Sequence, residues 1–164
     1  MTTYWTSPTL LDQYPETGAE TVHIPWNITF TKASTAGNLV HLARKPKTDY
    51  INKTFYLTAT GFEFDTLPDS LSGIELVINA DRKGRVTDET VQLILNNAPV
   101  GDNLASLDLS ESKSYGGQSN LWGSTLTIND IVNPSFGIVM RFQSHPQYPH
   151  RDGINIRSVE LVIH

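Results

Sequence analysis

Residues 154–163 read INIRSVELVI, and they decide the fold. Ile154 and Ile156 alternate with Asn155 and Arg157; Val159, Leu161 and Ile163 then keep the same two-residue beat, one position late. A period of two puts one set of side chains on a single face of an extended strand. The slip at Ser158 fits a β-bulge, where a strand carries one residue more than its neighbour.

The same beat recurs upstream. Gly73–Ala80 (GIELVINA) sets Ile74, Leu76 and Ile78 on one face, and Thr90–Leu95 (TVQLIL) repeats the alternation before Asn96-Asn97. Phe55–Thr60 (FYLTAT), stopped by Gly61, and Phe136–Phe142 (FGIVMRF) complete the strong set. Weaker strands are expected over Val22–Phe30, Leu39–Ala43, Ala105–Leu109 and Leu121–Ile128. One helical turn is expected at Asn129–Asn133, closed by Pro134. Many short strands separated by Gly, Pro and Asn turns give an all-β, antiparallel β-sandwich.

At 164 residues the chain fits one domain, here residues 21–164, preceded by an arm over 1–20. Pro8, Pro15 and Gly18 punctuate that arm and predict an irregular path. Tyr4, Trp5 and Tyr14 give it three large rings, which predicts that it packs on its own domain or on a neighbour.

Composition narrows the function classes. There is no cysteine, hence no disulfide and no thiolate metal site. The net charge of −5 argues against a nucleic-acid partner, and the two basic runs, Arg44–Lys47 and Arg82–Arg85, read as solvated turns. No apolar run approaches the ~20 residues needed to span a bilayer. Met1–Trp5 lacks the basic start of a secretory signal, so a product made in the cytoplasm is expected.

Candidate chemistry is thin. His145, His150 and Asp152 are close in sequence, but two prolines make that stretch an extended loop with no face on which ligands converge. Asp65, Asp69, Asp81, Asp88, Glu89, Asp102 and Asp108 include enough carboxylates for glycoside hydrolysis, yet most are read at turns, where Asp bonds its own backbone. No serine sits in a nucleophile elbow and no calcium loop is spaced correctly. No catalytic residue, cofactor or metal is therefore expected. Trp26, Trp122, Tyr115 and Tyr148 have two readings: core anchors, or a stacking platform for sugar rings.

Four pieces occur in order: TFYLTATGFEF at 54–64, LPDSLSGIELVI at 67–78, VQLILNNAPVGDNLAS at 91–106 and SYGGQSNLWGSTLTINDIVNPSFGIVMRF at 114–142. With the closing INIRSVELVIH, this order resembles a family of small jelly-roll-like β-sandwich proteins encoded by tailed bacteriophages. The likeness spans roughly residues 54–164, with a looser echo in YWTSP and Trp26.

The resemblance implies a non-enzymatic virion component: a tail, neck or baseplate accessory, or a head decoration. It would contact other virion proteins and form a homo-oligomer, a trimer or larger ring. The expected contact residues are Tyr4, Trp5 and Tyr14 in the arm, Arg44, Lys45 and Lys47 in the basic loop, and His145, Tyr148 and His150. The alternative is a carbohydrate-binding module that engages a host-surface glycan. It requires exposed, coplanar aromatics, whereas the structural role requires Trp26 and Trp122 to be buried and the arm to cross to another chain. In both readings Gly116, Gly117 and Gly123 are hinges that let the chain turn sharply around Leu121 and Trp122.

Overall fold

The computed structural model describes residues 4–15, 22–26, 38–42, 52–107, 112–144 and 152–164. Its strands are β1 (Tyr4–Thr6), β2 (Pro8–Tyr14), β3 (Val22–Ile24), β4 (Asn38–Leu42), β5 (Asn52–Thr54), β6 (Tyr56–Phe62), β7 (Ile74–Lys83), β8 (Val86–Leu95), β9 (Ala98–Val100), β10 (Ser112–Gly116), β11 (Gly137–Ser144) and β12 (Asp152–Ile163). The one helix among the described residues is α1 (Ile128–Ile131), a single turn. The chain is an all-β sandwich.

The front sheet has five strands, in the order β1-β12-β7-β10 with β4 also on β12. The back sheet has seven: β2-β6-β11-β5-β3, with β8 on the other side of β11 and β9 on β8. All pairs are antiparallel except β3 with β5. Gly84, at φ +77, opens the two-residue corner between β7 in front and β8 behind. Here Arg82 departs from the solvated turn expected of its run. It sits in β7, partly buried, with its guanidinium over the Phe142 ring and Nη1 donating to the Val86 carbonyl at 3.2 Å.

The alternation legible in the sequence becomes the core. Ile74, Leu76 and Ile78 of β7 and Ile154, Ile156, Val159, Leu161 and Ile163 of β12 face Leu57, Val91, Leu93, Ile138, Met140 and Phe142 of the back sheet, all at most 2% exposed. Burying one such side chain contributes about 1.5–3 kcal/mol. The register of β12 against β7 shifts between Ile156 and Ser158, so the bulge lies where the sequence beat slipped. A second shift, between Arg141 and Phe142 opposite β8, makes Glu89 an extra residue in that strand.

The N-terminal segment differs from its sequence reading. It is not irregular: Tyr4–Thr6 pair with Leu161–Ile163 of β12, and Pro8–Tyr14 pair with Tyr56–Phe62 of β6. Leu11 drives this, because it falls on the inward face of β2 and is 5% exposed. Pro8 is tolerated because it starts an edge strand. The segment thus borders both sheets of its own domain, and no crossing to another chain is needed to order it.

Strand β10 and the short strands β5 and β9 have no counterpart in the expected set, and Leu121–Ile128 forms turns rather than the weak strand expected there. Of Ala105–Leu109, residues 105–107 are not strand, and the remainder lies outside the described residues. The helical turn starts one residue earlier than expected, after a Thr127 cap whose backbone N–H and hydroxyl both donate to Asp130.

Candidate functional site

The YGGQSNLWGSTL stretch, residues 115–126, is a corner at one end of the sandwich. Trp122 is fully buried and its Nε1 donates to the Ile74 carbonyl at 2.9 Å. The same carbonyl accepts from Gly117 N at 3.0 Å. Trp122 itself holds φ +58, an unusual value for a bulky residue, fixed by Asn120 Oδ1 accepting its N–H at 2.7 Å and by Asp102 N donating to its carbonyl at 2.6 Å. Gly116 must lack a side chain: at φ +79, a Cβ there would lie 2.1 Å from the Ile74 carbonyl and 2.5 Å from Trp122 Nε1.

Trp26 plays a matching part beside the back sheet. It is 3% exposed, donates to the Phe55 carbonyl at 2.9 Å and meets Phe142 edge-on at 6.0 Å. The Gln13 side chain grips its backbone from both sides, at 3.0 and 2.7 Å. Tyr115 is 3% exposed and points inward. Three of the four rings proposed for a sugar platform are therefore spent inside the fold. Tyr148 lies outside the described residues.

Tyr115 belongs to a charged cluster between the sheets. Asp88, wholly buried in β8, accepts at Oδ2 from the Tyr115 hydroxyl at 3.1 Å, Ser106 N at 3.1 Å and Lys113 Nζ at 3.3 Å. Lys113 also bonds Ser106 Oγ and lies 5.0 Å from the Tyr115 ring centroid. Burial and the Asp88 charge push the Tyr115 hydroxyl far above its ordinary value, against the opposing influence of Arg82. The cluster ties β8 behind to β10 in front.

A second cluster lies on the outer face of the back sheet. Arg141, 3% exposed, donates Nε to Glu89 Oε2 at 2.7 Å and Nη2 to Oε1 at 2.8 Å. Lys53 Nζ reaches Oε1 at 3.1 Å and Thr90 Oγ1 reaches Oε2 at 2.6 Å. Burial pushes the Glu89 carboxyl up, but hydrogen bonds from Arg141, Thr90 and Lys53, with the Arg141 charge, outweigh it and hold it at about 2. On its far side the Arg141 guanidinium sits 4.1 Å from the Tyr56 ring centroid, and Tyr14 stacks on Tyr56 at 5.0 Å. Burial raises the Tyr14 hydroxyl pKa and the Arg141 charge opposes it. Tyr14 remains 46% exposed and Leu10, on the same face of β2, 52%.

Asp88 and Glu89, two of the acidic residues expected mostly at turns, are strand residues facing opposite sides of the back sheet. They cannot straddle one glycosidic bond. Among the described residues no three His, Asp or Glu groups gather to hold a metal ion, and no helix is long and apolar enough to cross a membrane.

Of the expected contact residues, Tyr14 ends β2 at the edge of the back sheet, while the backbone of Tyr4 and Trp5 runs along the edge of the front sheet. Arg44, Lys45, Lys47, His145, Tyr148 and His150 lie outside the described residues. Sequence reasoning missed Tyr56, Glu89, Arg141 and Lys53 as a set. The available signal was Arg141, a single charge in the apolar run FGIVMRF, which a strand cannot bury without a partner.

Compared with known proteins, the chain matches no family model, no curated protein and no solved structure.

Proposed function

We propose that the protein is a non-enzymatic structural component of a tailed-bacteriophage virion, made in the host cytoplasm and acting in symmetric copies through protein–protein contact. The ordered motifs over residues 54–142 support this reading, and one observation carries it: Trp26 and Trp122 are buried, with both indole N–H groups satisfied inside the fold. Aromatics used this way stiffen a scaffold, and these two offer no exposed ring to a sugar. On this reading the contact surface lies on rims and edges, and the exposed Leu10 and Tyr14 on the β2 edge strand support it.

The test is the composition of purified particles from the phage that encodes the chain. Mass spectrometry should find the protein at a fixed stoichiometry, and electron microscopy of particles lacking it should show missing density at head, neck, tail or baseplate. Absence from purified wild-type particles overturns the proposal. So does turnover of a glycan by the isolated protein.

A further inference from the structure

A cleft of about 480 Å³ opens between the loop at 69–71 and the segment at 126–129 that leads into α1. That volume falls in the range of small-ligand sites. Its wall is aliphatic, from Leu71, Leu126 and Ile128, and polar groups of Asp69, Ser70 and Asn129 stand on it.

Several nearby turn side chains are occupied within the fold. Asn103 Oδ1 accepts from Val91 N and Ala105 N, Asn120 caps Trp122, Asn133 binds Ser135, and Asp130 is held by Thr127. All of these are spent on the fold. Among the described residues, nothing bonds the Asp69 carboxylate, the Ser70 hydroxyl or the Asn129 side-chain amide. The cleft thus presents an exposed carboxylate, an exposed hydroxyl and an exposed side-chain amide, none of them spent on a turn.

The geometry points to a binding site for an alkyl-guanidinium group, an arginine side chain presented by another protein. The charge is complementary: among the described residues Asp69 offers a carboxylate with no internal cation, and no basic residue lines the cleft. A carboxylate takes a guanidinium through two parallel N–H bonds. The three methylenes of arginine would lie along Leu71, Leu126 and Ile128, as long basic side chains do on apolar surface. Ser70 Oγ and the Asn129 carbonyl supply acceptors for the remaining N–H groups. Lysine fits less well, because its ammonium offers no planar fork. The inference does not depend on the virion reading, since any arginine-bearing partner suffices.

The experiment is a ¹H–¹⁵N titration of the full chain with N-acetyl-arginine N-methylamide, and with its citrulline analogue at matched ionic strength. Citrulline keeps the shape and loses the charge. Arginine should give saturable shifts at residues 69–71 and 126–129, and citrulline should bind about three- to fivefold more weakly, the scale of one partly exposed ion pair. In Asp69→Asn the two probes should become equal. Shifts that do not saturate, equal binding of both probes to the unaltered protein, or a preference that survives Asp69→Asn would each overturn the assignment. The comparison on the unaltered protein stands without any variant, so a fold defect in Asp69→Asn does not decide it.

Discussion

Arg141 and Glu89 face each other across β11 and β8 in a two-bond fork, 2.7 and 2.8 Å long, on the outer face of the back sheet. The fork exists because Glu89 is the extra residue of a bulge. A bulge turns two successive side chains to the same side, so Glu89 and Thr90 both face Arg141 while Asp88 turns inward.

Glu89→Gln should destabilise the protein by about 2–4 kcal/mol, because it strips the counter-charge from an arginine that water scarcely reaches. Urea unfolding at pH 7 measures it. The pH dependence follows from the depressed carboxyl. Its stabilisation is complete above the ordinary value of 4.5 and is lost as pH falls from there through about 2. Acid titration of Glu89→Gln should lack that part of the decline. An unchanged acid limb would show that the fork contributes nothing.

Tyr115→Phe removes a donor to the buried Asp88 Oδ2 and should cost about 1–2 kcal/mol. Because the Tyr115 pKa is raised in the fold, its contribution is present below pH of about 10 and is lost as pH climbs above it. Ultraviolet titration should therefore show one phenolate that appears only as the chain unfolds in alkali, and Tyr115→Phe should abolish that late step.

Gly116→Ala and Gly117→Ala separate backbone strain from collision. Both residues hold positive φ, +79 and +147, but a Cβ at 117 meets nothing within 4 Å while one at 116 strikes the Ile74 carbonyl and the Trp122 indole. Gly117→Ala should cost about 1–3 kcal/mol from backbone strain alone. Gly116→Ala should cost clearly more, or fail to fold. Equal losses would mean that the corner yields easily.

Deleting residues 1–15 should not leave a stable domain. It removes an edge from each sheet together with Leu11, whose truncation to Ala alone should cost about 2–4 kcal/mol. Light scattering of the truncated protein should show association through the uncovered strands. A monomeric truncation with unchanged thermal stability would restore the idea of a detachable arm.

The sandwich was legible because its central strands are buried on one face and therefore alternate. Ile74, Leu76 and Ile78 could hardly be read otherwise, and even the bulge in β12 left its mark. What stayed hidden has physical causes. Strand β10, SKSYG, has little β-propensity and is held by its partner β7 rather than by its own residues. Strand β2 carries a proline and one strongly inward side chain, too little for a periodic signal. The Glu89–Arg141 and Asp88–Lys113 pairs join residues far apart in sequence, and only strand pairing brings them together.

Both bulges also govern which changes in chain length the protein can accept. In β8 the inward residues carry even numbers up to Asp88 and odd numbers from Val91; β12 makes the same switch between Ile156 and Val159. Losing the extra residue at either bulge would restore a uniform parity with the same side chains inward, whereas losing or gaining one residue elsewhere in these strands would turn part of a strand inside out, with isoleucines or a carboxylate delivered to the wrong surface. Single-residue changes in length are thus confined, within these two strands, to the bulges themselves, and the turn at Asn96-Asn97 can lengthen without disturbing any parity.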